Sequence, residues 1–202
     1  MRRGFRSGRR GTVVLQLDEA ELVMLDSLAA DLAGLVAPED DDTGDLDPLA
    51  VLVGLDDDGG LPEDPAVARL LPDAYPDDPE ASTEFRRFTG RGLREAKVER
   101  AVVVRAAIAA AVAEGRTSVP VAAPEAAAWL GVLNDLRLVL ASRLDITDEE
   151  HDELRSLPED DPRSVPMAVY DWLTWLQDSL LRALGAPDPA DPDAAGGQRP
   201  AG

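Results

Sequence analysis

Apolar residues recur at three- and four-residue steps along much of the chain, and this pattern predicts a mainly α-helical fold. The first helix follows Asp18, where Glu21 stands three residues on in the spacing of a capping box, and it runs to about Val36. Short helices are predicted over residues 47–54 and 64–71, because each begins with an Asp-Pro pair that suits an N-cap and a first turn.

A helix is predicted over residues 80–88, the longest helix is predicted from about residue 93 to residue 114, and Gly90 and Gly92 lie between them. Glycine is a poor helix former, so we expect the helix to break or kink at this pair. A second helix then begins at about Leu93, and Gly115 is its natural C-terminal stop.

Two later helices hold all three tryptophans. The first is predicted from Pro124 to about Leu144. A capped short helix over residues 147–157 and a proline-rich segment follow it. The second tryptophan helix is expected after the last proline of that segment, Pro166, and it ends near Leu184.

Two short stretches rich in Val and Leu, residues 12–17 and 118–122, predict β-strands. Each stands directly before a helix, and the two could pair as a ribbon; chance similarity is the alternative. We therefore predict a mainly α, single-domain helical bundle over residues 12–184 with at most a short two-stranded β-ribbon. A disordered basic arm at 1–11 and a disordered Pro/Ala/Asp/Gly tail at 185–202 are expected to flank it.

Composition limits the chemistry that the chain can perform. Hydrophobic residues make up 45% of it but aromatic residues only 4%, so Ala, Val and Leu must fill most of the core. There is no cysteine, which excludes disulfides, zinc thiolate sites and thiol catalysis within the chain. The longest apolar stretch, residues 106–113, is too short to span a membrane, and we expect a soluble cytoplasmic protein.

The formal net charge is −20, and a body this acidic should repel nucleic acid unless a local patch overrides the field. The acidic runs Glu39–Asp42 and Asp56–Asp58 lack the ligand spacing of a calcium loop and are interpreted as solvated loops. His151 stands in a very polar segment without a second histidine, so we expect it to be exposed. No cofactor, metal site or catalytic motif is predicted.

The segment of residues 86–105 is the main exception to the acidic character, with seven basic residues. Four of them form a candidate interaction stripe on a predicted helix: Arg91, Arg94, Lys97 and Arg100. Such a stripe could bind phosphate or an acidic partner. The alternative is that these cations pair internally with acids of the same chain.

Both tryptophan helices carry polar residues at or beside positions of the apolar pattern, where they need partners. We predict a structural polar network that joins these helices to nearby arginines. Its candidate members are Arg86, Arg87, Arg94, Asn134, Asp135, Arg137 and Asp171. The alternative is a functional cleft in which Asp135 and Asp171 serve a hydrolase.

Four segments resemble an uncharacterised actinobacterial family known as a domain of unknown function. They are EFRRFT (residues 84–89), LREAK (93–97), WLGVLNDLRL (129–138) and YDWLTWLQ (170–177). The resemblance covers residues 12–184. It implies a gene often found near a Clp-protease adaptor and a JAMM-type metalloprotease, and some members are labelled transcriptional regulators. It assigns no catalytic residue.

These observations favour a non-enzymatic regulatory or protein-interaction domain, and the family resemblance adds a link to protein turnover. Its protein partner and oligomeric state stay open. The alternative is a nucleic-acid-binding transcriptional regulator that uses the basic stripe within residues 86–105, which the net charge disfavours.

Overall fold

The computed structural model describes residues 3–8, 12–37, 62–146, 157–158 and 160–185. The predicted mainly helical fold is confirmed. The elements in chain order are β1 (Gly4–Ser7), β2 (Val13–Gln16), α1 (Glu19–Val36), α2 (Pro65–Leu70), α3 (Pro79–Ala113), β3 (Ser118–Val121), α4 (Ala126–Leu144) and α5 (Ser164–Ala183). The predicted helix 47–54, most of the helix 147–157, both acidic runs, His151 and nearly all of the tail lie outside the described residues.

The three strands form one antiparallel sheet in the order β1-β2-β3. The two strands that the sequence predicted do pair, with Leu15 opposite Val119. The third strand, β1, is unexpected, and the prediction of a disordered arm over residues 4–7 is wrong. The reason is Phe5, which pairs with Leu15 in the sheet and packs edge-to-face on Trp129 with ring centroids 5.5 Å apart.

Two hydrogen bonds to α5 hold β1 in place. The Phe5 backbone N–H donates to Ser179 Oγ at 3.0 Å, and Ser7 Oγ donates to the carbonyl of Ala183 at 2.8 Å. These bonds join residues that are 174 and 176 positions apart in the chain. An edge strand that is engaged in this way presents fewer free groups to another chain.

The predicted capping box of α1 is present. The Glu21 backbone N–H donates to Asp18 Oδ1 at 2.9 Å, and the Asp18 N–H donates to Glu21 Oε2 at 2.8 Å. Arg3 adds an ion pair to Asp18 at 3.0 Å, so the N-terminal segment is tied to this helix as well. Further along, Asp26 pairs with Arg105 of α3 at 3.0 Å, where α1 packs along that helix.

The predicted break at Gly90 and Gly92 is absent, since α3 runs through both as one helix of 35 residues. Each helical glycine costs about 1 kcal/mol relative to Ala, which the packing of a long helix readily offsets. Asp78 caps its start by accepting from the Ala81 N–H at 3.0 Å. The predicted stop is present at Gly115, whose φ of 66° is the left-handed conformation that glycine adopts freely.

The last helix also begins earlier than predicted, because Pro166 lies inside its first turn. The first N–H groups of a helix have no intrahelical acceptor, so proline is tolerated at this position.

In the segment before this helix, Arg163 donates to both carboxylate oxygens of Asp161 at 3.0 and 2.9 Å. This side-chain hydrogen bond, together with one from the Arg163 backbone, lowers the pKa of Asp161 to about 2.

The short helix α2 is tied to α4 at its start. Asp64 is its N-cap, accepting from the Ala66 N–H at 2.8 Å. Its other carboxylate oxygen accepts from Arg143 Nη2 at 2.5 Å, and this hydrogen bond holds the pKa of Asp64 below its usual value. Leu71 and Pro72, which follow α2, line a pocket together with residues of the first half of α3.

The core is built mainly from Leu, Val and Ala of the sheet and the long helices, as the composition predicted. Trp129 is its largest member and is fully buried. Among the described residues, the indole N–H groups of Trp129 and Trp172 are buried without a hydrogen-bond partner. The large apolar area of each ring offsets that loss. No helix within the described ranges is long and apolar enough to cross a membrane.

Candidate functional site

A buried ion pair joins α3 to α4. Lys97 Nζ lies 2.8 Å from Asp135 Oδ1, and the two side chains are only 11% and 5% exposed. The cation that pairs with Asp135 is thus Lys97 of the candidate stripe, not one of the arginines listed for the polar network. Lys97 takes this place because it lies four and seven residues before the buried Ala101 and Val104, on the side of α3 that faces the protein interior.

The pair bears on the hydrolase alternative. Asp135 is shielded from water and engaged by Lys97, so its carboxylate is not placed to activate a water molecule. Asp171, the second carboxylate of that alternative, lies half-buried on α5. Across the part of the chain that the structure describes, no three acidic or histidine side chains gather as ligands for a metal ion.

Arg137 forms the observed polar connection between the tryptophan helices. Its Nε donates to Thr174 Oγ1 at 2.9 Å, and its Nη1 donates to Gln177 Oε1 at 2.6 Å. Its Nη2 lies 3.3 Å from the Tyr170 hydroxyl, and its guanidinium stands 5.3 Å from the centroid of that ring. One arginine on α4 thus holds three neutral side chains of α5, which locks the packing of these helices.

The three other arginines predicted to join this network, all on α3, do not contact it within the described residues. Arg86 pairs with Asp73 in the connection between α2 and α3, and Arg87 is exposed. Arg94 is half-buried, with no hydrogen bond or ion pair to any other described residue. Asn134 is half-buried beside Asp135 on α4. The predicted network therefore divides into the Lys97–Asp135 pair and the Arg137 cluster.

The candidate stripe is not one exposed cationic surface. Arg91 pairs with Glu95 at 3.0 Å, one turn further along the same helix. Arg100 lies against α4, where a Cβ atom at Gly131 would come within 2.6 Å of its guanidinium. Lys97 is buried, as described above. Two of the four cations, Lys97 and Arg100, thus lie against α4.

A groove beside Arg94, between the α2–α3 connection and the first half of α3, was not predicted from the sequence. We call it the α3 groove, and its lining includes Leu71, Pro72, Phe85, Gly90, Leu93 and Arg94. Phe85 and Leu93 are 37% and 44% exposed, and Phe88 on the same half of the helix is 59% exposed. Because a break was expected at Gly90, these side chains did not appear as one surface.

Comparison with known proteins gives a family and named relatives. The model of a domain of unknown function, DUF2017, matches residues 1–184, which includes the N-terminal residues that the resemblance had left out. The AosR protein of Mycobacterium leprae (strain TN) is 33% identical over 178 residues, covering 82% of this chain and 79% of that protein.

Two further relatives, from Mycobacterium tuberculosis (strain ATCC 25618 / H37Rv) and Mycobacterium bovis (strain ATCC BAA-935 / AF2122/97), are named oxidative stress regulator AosR. Each is 31% identical over 174 residues, covering 81% of this chain and 78% of the relative. No solved structure matches the chain. The chain belongs to the DUF2017 family and is homologous to the mycobacterial AosR proteins.

Proposed function

We propose that this chain is a non-enzymatic regulatory protein of the oxidative stress response, which acts in the cytoplasm by binding another protein. The names of its mycobacterial relatives suggest the process. The observation that carries the mode of action is the contrast between two regions. Asp135 is closed within an ion pair, whereas exposed apolar side chains lie on the first half of α3 beside Arg94, for which the described residues supply no hydrogen-bond or ion-pair partner.

The chain has no cysteine, so the proposed regulator cannot itself sense an oxidant through a thiol. Many redox responses depend on a thiolate that is oxidised to a sulfenic acid or a disulfide. This chain cannot supply one, so a thiol-based signal would have to enter through the protein that it binds. We therefore expect the dependence of any complex on oxidant to follow the thiols of the partner.

Deletion of the gene tests the proposed function. The deletion strain should differ from its parent in survival and in induced transcripts after hydrogen peroxide, and the wild-type gene should restore both. A Lys97→Met/Asp135→Leu double variant should restore them equally well, because the pair is proposed to be structural. Unchanged peroxide responses in the deletion strain would refute the role in oxidative stress, and a folded double variant that fails to complement would refute the non-enzymatic part.

The link to protein turnover is part of the same proposal, since a regulator that acts by binding other proteins would bind a protease adaptor through such a surface.

Nucleic-acid binding through residues 86–105 is the weaker candidate. Binding of that kind needs several free cations in a row, and Lys97 and Arg100 turn inward while Arg91 pairs with Glu95. We expect no mobility shift of DNA or RNA at low salt.

A further inference from the structure

We propose that the exposed side of α1 binds a basic, apolar segment of a partner protein, with an apolar side chain on Val23 and cations on Glu19 and Asp31. We call this side of the helix the α1 face, and its exposed members are Glu19, Ala20, Val23, Ser27 and Asp31. It shares no residue with the lining of the α3 groove. The α1 face would serve the proposed function, on which this inference rests, as a second surface for a protein partner.

The apolar part of the α1 face is an open depression at the start of the helix. Ala20, Val23 and Met24 line it together with Asp18 and Glu19, and its volume is about 660 Å³. Val23 is 59% exposed, and Met24 beside it is half-buried. The flexible thioether of methionine adapts to partners of different shape. The depression therefore offers an apolar contact that is bordered by carboxylates.

The charged part of the α1 face is entirely acidic. α1 has no lysine or arginine, whereas each of the other α-helices of the described chain has at least one arginine. On the flank of α1, Asp26 already binds Arg105 at 3.0 Å, so a carboxylate of this helix can hold a guanidinium. Glu19 and Asp31 have no hydrogen bond or ion pair with any other described residue. Both are open to cations of a partner.

The spacing of these two carboxylates sets the size of the segment. Glu19 and Asp31 lie about 18 Å apart along the helix axis, and Val23 and Ser27 stand between them. An extended segment spans this distance in about six residues, and a helix spans it in about twelve. A segment with one basic residue at each end and an apolar residue between them would contact both carboxylates and Val23.

Other occupants fit the α1 face less well. A second copy of a chain with net charge −20 would be repelled by Glu19 and Asp31. The phosphates of nucleic acid and the carboxylates of an acidic segment would be repelled in the same way. A basic segment is instead attracted by the field of the whole protein and by the local carboxylates.

A displayed library of random peptides of about twelve residues, selected on the full-length protein, provides the probe. Any basic peptide is attracted to so acidic a protein. The library is therefore counter-selected on a Glu19→Gln/Val23→Ser/Asp31→Asn variant, which lacks the proposed contacts. Enriched peptides should carry Lys or Arg on both sides of a bulky apolar residue.

A labelled synthetic peptide of the enriched sequence is then titrated with the protein by fluorescence anisotropy. The titration is made at an ionic strength of about 0.15 M, where charges more than about 8 Å apart are largely screened. We expect Glu19→Gln/Asp31→Asn, which keeps the shape of both side chains, to raise the Kd about fivefold or more. Val23→Ser should raise it about threefold or more.

Two matched controls change similar groups outside the α1 face. Glu80→Gln/Glu84→Gln removes the same charge from exposed residues of α3, and Val165→Ser changes a valine of α5 that is 70% exposed. Both should leave the Kd within about twofold of the wild type, as is usual for surface changes away from a contact. Circular dichroism of each variant establishes that the fold is retained.

Several outcomes would overturn the inference. They are no enrichment of any peptide, enrichment without basic residues, and a Kd that both α1 variants leave unchanged. A Kd that Glu80→Gln/Glu84→Gln raises as much as Glu19→Gln/Asp31→Asn would assign the binding to net charge alone. Self-association in sedimentation that Val23→Ser abolishes would assign the α1 face to a second copy. A normal peroxide response in the deletion strain, with peptide binding intact, would refute only the proposed function.

Discussion

At the scale of single residues, the Lys97–Asp135 pair places two opposite charges in the protein interior. Taking two charges out of water is costly, and their mutual attraction only about balances that cost. We expect the pair to contribute specificity more than net stability, since another register of α3 on α4 would leave one of these nearly buried charges without its partner. The same balance makes the consequences of removing one partner predictable.

We predict that Lys97→Met lowers the free energy of unfolding by about 3 kcal/mol, because it leaves the Asp135 carboxylate buried and unpaired. The double variant Lys97→Met/Asp135→Leu should recover most of this loss, since both charges are then replaced by apolar groups. Urea denaturation followed by circular dichroism measures both. A double variant no more stable than the single variant would contradict the assignment of a buried pair.

Local contacts between single residues could be predicted from the sequence, whereas contacts between distant residues could not. The Asp18–Glu21 capping box joins residues three positions apart, so its spacing was readable without a structure. Lys97 and Asp135 are 38 positions apart, and many other cations of the chain were possible partners for the Asp135 carboxylate. Choosing among them requires the rotation of α3 about its axis. Lys97 could have been placed from its spacing to Ala101 and Val104 had that apolar face been identified first.

At the scale of elements, α3 shows why a breaker in the sequence need not break a helix. The helix is capped by Asp78 at one end and stopped by Gly115 at the other, and its second half is packed against α1 and α4. Local propensity at Gly90 and Gly92 is small beside these contributions. The sequence predicted the ends of this helix well because caps are local. It failed in the middle, where packing with distant elements decides.

Glycine substitutions test this view of α3. At Gly92 an added Cβ atom would meet no other atom within 4 Å, so Gly92→Ala should raise the free energy of unfolding by about 0.5–1 kcal/mol. Gly34→Ala in α1 is the matched case, because its Cβ position is equally open, and it should stabilise by a similar amount. Thermal denaturation of the two variants measures the effect. A loss of stability at Gly92 alone would contradict an unbroken helix.

At the scale of the whole molecule, the two ends of the described chain fold against each other. Gly4 has a φ of 89°, and an added Cβ would lie 2.9 Å from the ring of Trp175, so β1 rests directly on α5. Phe5 then reaches Trp129 in the core. The sequence could not predict this arrangement, because four residues with one aromatic side chain carry no recognisable strand pattern and the surrounding arginines resemble a disordered arm.

Removal of residues 1–8 distinguishes a disordered arm from an integral strand. A disordered arm could be deleted without effect, whereas loss of β1 removes the buried Phe5 and its contact with Trp129. We expect the free energy of unfolding to fall by about 3 kcal/mol or more, the usual cost of deleting one large core side chain. Deletion of residues 187–202, which the sequence predicts to be a disordered tail, is the control and should change it by less than about 0.5 kcal/mol. Equal urea midpoints for the two deletions would contradict a stabilising role for β1, and Phe5→Ala in the full-length chain would then be expected to have no effect either.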